Sequence, residues 1–186
     1  MSQLVSAVFI DRDGTINHDC GYLSRFSDFS WIEGAPQALA RLKTAGLKLA
    51  IVTNQSGVAK GYYNLEAVKL LHQQINQDLK AKTGTIIDGW YYCPHHPDIA
   101  PCRCRKPAPG LLTRAANELG LDLLTSYMVG DKSIDVLAGQ AAEVKLSILV
   151  RTGYGLEDQF KISPEIPVVD DLNAAANLII NDLNQK

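Results

Sequence analysis

Short apolar runs alternate with helical patterns along this chain, and most runs stop at a polar, glycine-containing cluster. Residues 4–10 are apolar and partly β-branched, as a strand buried on both faces requires, and they end at Asp11-Arg12-Asp13-Gly14-Thr15. Residues 47–52 form a second run, stopped by Thr53-Asn54-Gln55-Ser56-Gly57. Residues 86–92 form a third, which enters a loop of cysteines and histidines at residues 93–104. Residues 127–129 form a fourth, halted by Gly130-Asp131-Lys132-Ser133-Ile134-Asp135; residues 146–150 are a fifth and residues 168–169 a short sixth. Such alternation predicts an α/β protein, a three-layer sandwich with a mostly parallel central sheet. In these sheets ligands bind at the carboxyl ends of the strands, so the polar clusters are expected to converge.

The intervals carry helical spacing. Glu33-Gly34-Ala35-Pro36 opens one helix, with Leu39 and Leu42 on one face and Gly46 at its end. Leu65, Val68, Leu71, Ile75 and Leu79 mark a second over residues 64–82, with Asn64 as its N-cap. Residues 109–119 form a third, stopped by Gly120, and a fourth runs from the Asp131–Asp135 cluster to Ala142 with acidic residues in its first turn. Residues 172–183 close the chain, and residues 17–31 show no sustained period and read as a loop.

At 186 residues the chain is long enough for one well-buried domain, taken here as residues 1–186. A charged fraction of 20% beside 46% hydrophobic residues is globular, and a net charge of −2 gives no field that favours nucleic acid or membrane. The start lacks a basic region, its apolar run meets Asp11 too early for a signal peptide, and no apolar stretch could span a bilayer. A cytoplasmic monomer is the expectation.

The clusters would bring Asp11, Asp13, Thr53, Lys106 and Asp131 to one face, with Asp135 as a further candidate. Carboxylates leaving buried strands are costly without a cation between them, and this donor set fits Mg²⁺ together with a phosphate group. Lys106 and the Thr53 hydroxyl suit the equatorial oxygens of a transferring phosphoryl group, and an aspartate can attack phosphorus. A second acid two residues on can protonate the leaving oxygen and then activate water. Singly, Lys106 reads as a surface lysine, Thr53 as a turn hydroxyl and Asp131 as a helix cap. Their places at successive strand ends argue for a common site.

Cys93, Cys102 and Cys104 crowd into twelve residues with His95 and His96. A closed, structural Cys₃His zinc site fits, with Cys93, His95, Cys102 and Cys104 as ligands and His96 in reserve; a loop of free thiols is the plain alternative. The loop runs directly into Arg105-Lys106, so a metal there would position both cations. Cys20 lies far off in sequence.

Together Asp11-Arg12-Asp13-Gly14-Thr15, Thr53-Asn54-Gln55, Arg105-Lys106-Pro107 and Gly130-Asp131-Lys132 with Asp135 resemble the four motifs of the haloacid dehalogenase superfamily, in order and in strand context. The resemblance implies a Rossmann-like fold in which Asp11 is the nucleophile and Asp13 the general acid/base. It also implies Mg²⁺ bound by Asp11, Asp131 and the Asp13 main-chain carbonyl, with Thr53 and Lys106 stabilising the phosphoryl group. The second Asp matches phosphatases, not dehalogenases. No long insertion separates the motifs, so the site is expected to be capless, with specificity set by loops. The zinc loop and Asp19-Cys20-Gly21-Tyr22 narrow the resemblance to the histidinol-phosphatase-like subfamily. The implied reaction is removal of the 7-phosphate of D-glycero-D-manno-heptose 1,7-bisphosphate, in the nucleotide-activated heptose route that feeds lipopolysaccharide or other surface glycans. The implied substrate contacts are Asp19, Cys20, Gly21, Tyr22, Thr53, Asn54, Gln55, Ser56, Arg105, Lys106 and Lys132, with Cys20 at a position where such loops vary. Histidinol phosphate is the nearest alternative substrate. A reading of another class, a zinc-ordered nucleic-acid-binding module leaning on Arg103, Arg105 and Lys106, has the near-neutral charge against it.

Overall fold

The structure, a computed structural model, describes residues 4–99 and 101–185. The first residues of the chain, on which the absence of a basic leader was read, and Ala100 in the zinc loop lie outside the described residues.

Each apolar run supplies one strand: β1 (Ala7–Ile10), β2 (Lys48–Asn54), β3 (Gly89–Cys93), β4 (Tyr127–Gly130), β5 (Leu146–Val150) and β6 (Val168–Val169). All pair in parallel, in the order β3-β2-β1-β4-β5-β6. The intervals supply α1 (Ala35–Thr44), α2 (Leu65–Thr83), α3 (Gly110–Leu119), α4 (Ser133–Ala141), α5 (Gly155–Asp158) and α6 (Leu172–Asn184). Strand order reverses between β1 and β4, which places the ligand crevice outside the carboxyl ends of these two strands.

Side-chain alternation along the central strands divides the core into two layers. Val8 and Ile10 of β1 point with Leu49, Ile51 and Val129 toward α1 and α6. Ala7 and Phe9 point with Ala50, Val52 and Met128 toward α3 and α4. A smaller cluster of Leu23, Leu71 and Ile75, extended by Phe26, Phe29, Trp31 and Trp90, pins part of the 17–31 loop between α2 and β3. Trp31 also donates its indole N–H to Asp78 of α2 at 2.7 Å. This anchoring gives fixed shape to a segment whose only helical turn is Phe26–Asp28.

Register delivers the functional residues. Ile10 lies opposite Ile51 on one side and Val129 on the other, so Asp11 leaves β1 level with Val52 and Gly130. The Asp11 amide donates to Val129 O at 2.9 Å and continues that ladder by one bond. Asn64 caps α2 as its side chain predicts, accepting from the Ala67 amide at 2.9 Å.

Some boundaries differ from expectation. β1 begins at Ala7, because Leu4 and Val5 are exposed and Val5 bridges to Leu121 instead. β3 begins at Gly89 and not at residue 86, where Ile86 is exposed and Asp88 turns its carboxylate onto the Leu49 amide. The four-residue α5 had no sequence signal, being shorter than one amphipathic repeat. Among the described residues no helix is long and apolar enough to cross a membrane.

Candidate active site

Three strand ends and the segment after β3 meet in a cavity of about 380 Å³. Its floor includes Asp11, Asp13, Thr53, Lys106 and Asp135, and its walls carry Asp19, Gly21, Tyr22, Asn54, Gln55, Ser56, Arg105 and Lys132. Tyr63, Ile134 and Tyr154 complete the lining. Cys20 is exposed and is not among the lining residues, although its neighbours are.

Lys106 is buried, and its ammonium lies 2.5 Å from Asp11 Oδ1, 2.6 Å from Asp135 Oδ1 and 2.7 Å from the Val52 carbonyl. Burial alone would lower the pKa of this lysine, but the two carboxylates overcome it and the shift is upward. The burial of Lys106 also removes the exposed basic face that a nucleic-acid-binding module would need. A reciprocal pair holds the lysine backbone: Asn54 donates to the Lys106 carbonyl and accepts from its amide, each at 3.1 Å.

Asp11, Asp131 and Asp135 bring carboxylate oxygens within 4.8 Å of one another, all buried. Burial, with Asp135 adding to it against the pull of Lys106, pushes Asp11 up to about 6; burial and the neighbouring Asp11 push Asp131 up to about 8. Asp131 Oδ2 accepts from the Tyr154 amide at 2.9 Å, while Oδ1 is buried without a hydrogen-bond partner. A buried carboxylate oxygen with no donor, among acids that resist ionising together, fits a hard divalent cation with oxygen ligands. Gly14 and Gly153 make room for this carboxylate. A Cβ built on either would meet Asp131 Oδ2 at 2.2 Å.

Asp13 is held differently. Arg12 Nε and Nη2 donate to its two oxygens at 3.1 and 2.8 Å, Asn17 adds a bond at 3.0 Å and Gln55 one at 3.1 Å. Burial raises its pKa, but Arg12 and the amide donors outweigh burial and hold the carboxyl below the usual carboxylate range. Gln55 is itself keyed in place. Its Nε2 also donates to Thr53 Oγ1 at 2.9 Å, and its Oε1 accepts from the Tyr63 hydroxyl at 2.8 Å.

At the rim Lys132 sits 3.5 Å from Asp19 Oδ2 and 4.6 Å from the centre of the Tyr154 ring. Burial lowers its proton affinity, yet Asp131, Asp11 and Asp19 reverse that and raise it. Beside the cavity, Cys93, His95, Cys102 and Cys104 converge: Cys93 Sγ is 3.2 Å from Cys104 Sγ, 3.5 Å from Cys102 Sγ and 3.6 Å from His95 Nδ1. Tetrahedral zinc ligands lie about 3.5–3.8 Å apart, so the donor types and their spacing suit such a site. His96 instead turns to Asp98, at 3.7 Å. The cluster is tied to the cavity, since Arg105 Nη1 donates to the His95 carbonyl at 3.3 Å.

Two lining residues, Tyr63 and Tyr154, belong to no strand-end motif; Ile134 lies within the cluster after β4, and Asp135, a further candidate from the sequence, also has the spacing of a helix cap. Its Oδ2 does accept from the Lys132 amide at 3.0 Å, while Oδ1 faces Lys106.

Comparison with known proteins bears on the family of this chain. The HAD-hydrolase-like family model matches residues 103–175. The D-glycero-beta-D-manno-heptose-1,7-bisphosphate 7-phosphatase of Photorhabdus laumondii is 43% identical, over 98% of this chain and 94% of that protein. The chain belongs to the HAD-like hydrolases. Another HAD-like relative with the same description, from Escherichia coli K12, is 40% identical over 98% of this chain and 92% of its own. Among solved structures, the D,D-heptose 1,7-bisphosphate phosphatase of B. bronchiseptica, complexed with magnesium and phosphate, superposes with a TM-score of 0.86. It is 32% identical, covering 95% of this chain and 99% of that one.

Proposed function

We propose that this chain is a single-domain, Mg²⁺-dependent phosphatase that removes the 7-phosphate from D-glycero-β-D-manno-heptose 1,7-bisphosphate. The observation that carries the reading is the meeting of Asp11, Thr53 and Lys106 in one cavity with Arg105 and Lys132. The activity named for relatives that are 40–43% identical over nearly the whole chain supports the substrate.

In this reading an Asp11 oxygen attacks phosphorus, the bond from phosphorus to the sugar oxygen breaks, and an aspartyl phosphate forms. Lys106 and the Thr53 hydroxyl hold the equatorial oxygens, where negative charge collects. Asp13 gives its proton to the leaving sugar oxygen. It then takes one from the water that attacks the aspartyl phosphate, which frees phosphate and restores Asp11. Arg12 and the amide donors lower the proton affinity of Asp13 in the substrate-free site, and an anionic phosphate beside it would raise that affinity for the first step. Mg²⁺ held by Asp11, Asp131 and the Asp13 main-chain carbonyl would offset repulsion between the attacking carboxylate and the phosphoryl group. Zinc on Cys93, His95, Cys102 and Cys104 would fix the loop that carries Arg105, leaving that cation and Lys132 to grip the second phosphate or sugar hydroxyls. A ligand set of reduced thiols fits a cytoplasmic setting.

Phosphate release tests the assignment, with kcat/KM compared for both anomers of the heptose bisphosphate, fructose 1,6-bisphosphate and histidinol phosphate. A preference for the heptose, with the 1-phosphate retained in the product, is the expected result. Faster turnover of histidinol phosphate would move the protein to the alternative substrate. Asp11→Asn abolishes turnover without unfolding the chain, and a variant that still turns over removes Asp11 as nucleophile.

A further inference from the structure

Arg12, which stands between Asp11 and Asp13 in sequence, is fully buried. Its guanidinium meets Asp13 side-on, with Nε on one oxygen at 3.1 Å and Nη2 on the other at 2.8 Å. Two parallel bonds fix the plane of a carboxylate as well as its distance, which a lysine at the same place could not do. The guanidinium is fixed in turn from behind. Nη1 lies 3.3 Å from His72 Nε2 on α2, and Nη2 reaches the Leu23 carbonyl at 3.4 Å. His72 is buried and stacks on Trp90 of β3 with ring centres 4.3 Å apart, so the brace rests on a helix and a strand.

This expense is disproportionate for a turn. Burying a guanidinium is costly unless its donors are met, and a solvated Asp13 would need no such partner. Asn17 and Gln55 fill the remaining sites, so each Asp13 oxygen receives two donors and the side chain has one setting. That setting keeps Asp13 in the lining of the cavity.

We propose that Arg12, braced by His72, is a positioning residue that sets the orientation of the Asp13 carboxyl toward the reacting phosphate ester. The inference rests on the assignment of Asp13 as the acid/base group in the phosphatase reaction. Arg12 touches neither substrate nor the transferring group; it acts through Asp13.

A double-mutant cycle on the full chain with Mg²⁺ and heptose bisphosphate tests this, using Arg12→Gln, Asp13→Asn and the pair. Arg12→Gln is expected to lower kcat about tenfold to a hundredfold, a part of what a general acid/base supplies, with KM within about twofold of the parent. Arg12→Lys, which restores charge but not the fork, recovers only part of that loss. In the Asp13→Asn background, Arg12→Gln is expected to change the residual kcat by less than about twofold. An equal loss in both backgrounds, or a loss that appears in KM, overturns the positioning role and leaves the reaction assignment standing. Asp13→Asn with parental turnover overturns the acid/base assignment, and the positioning role with it. If Arg12→Gln lacks a cooperative thermal transition, His72→Phe takes its place in the cycle. That change keeps a ring against Trp90 and removes the acceptor, and the same criteria decide.

Discussion

Lys106 Nζ lies 2.5 Å from Asp11 Oδ1, and the two groups share a buried position at the carboxyl end of β1. The lysine also bridges to Asp135 at 2.6 Å, so one ammonium balances two acids. Lys106→Met leaves both carboxylates buried without this counter-charge. In metal-free buffer the variant is expected to lose about 3 kcal/mol of stability, the usual cost of breaking a buried pair from one side, measured by urea unfolding. Its kcat should fall at least about a hundredfold, as for loss of a group that stabilises developing charge. Parental kcat in a folded Lys106→Met protein removes the lysine from the phosphoryl-binding set.

Gly14 carries a similar constraint in its backbone. Its φ of +86° is a left-handed conformation, and a Cβ there would meet the Asp131 carboxylate at 2.2 Å. Gly14→Ala therefore pays twice, once in backbone strain and once in displacing Asp131. Stability is expected to fall by about 1–2 kcal/mol. The Mg²⁺ concentration for half-maximal activity should rise at least about tenfold if Asp131 holds the metal as proposed, because displacing a ligand weakens a rigid site. A folded Gly14→Ala protein with unchanged Mg²⁺ dependence separates Asp131 from the metal.

The contrast between Asp131 and Arg12 shows where a sequence reading stops. Asp131 was visible because it follows an apolar run at a strand end, and parallel topology brings strand ends together whatever the side chains are. The same logic found Thr53, and β5 and β6 fell at their expected bounds because apolar β-branched runs end abruptly there. Leu4 misled the start of β1, since an apolar residue at the rim of a sheet has the pattern of a strand and the exposure of a loop. Arg12 gave no signal because its bracing partner, His72, is sixty residues away on a helix face that reads as packing. Tyr63 was missed for a similar reason: it acts on Gln55 through a loop whose shape depends on tertiary contacts.

The thiol cluster yields a prediction about position more than chemistry. Arg105 is bonded to the carbonyl of His95, itself a member of the cluster, so loosening the loop moves a cation that lines the cavity. Cys104→Ser should reduce bound zinc, about one per chain in the parent, when measured by elemental analysis. KM for the bisphosphate is expected to rise about tenfold while kcat changes less, because in the proposed reaction Arg105 would contribute binding and not bond breaking. A zinc-free variant with parental KM and thermal stability would show that the metal does not order this loop.

Asp88 lies just before β3, at the amino end of the strands and away from this chemistry, and reports on stability alone. Its carboxylate accepts the Leu49 amide at 2.9 Å and pairs with Lys43 at 2.5 Å and Lys48 at 3.0 Å, joining α1 and β2 to the entry of β3. Burial would raise its pKa, but the amide and the two lysines prevail and the native value lies below the ordinary 3.8. As pH falls, the unfolded chain therefore takes up this proton before the native one does. The stabilisation is fully present above the unfolded pKa and is lost as pH falls through the native value. Asp88→Asn keeps an acceptor for Leu49 and deletes the charge. It should cost about 1 kcal/mol at pH 7, a modest figure because both lysine arms are partly exposed. The gap between parent and variant in urea unfolding should stay constant from about pH 7 to pH 5 and close below about pH 4. A gap of unchanged size at pH 3 would mean that Asp88 acts through packing and not through its charge.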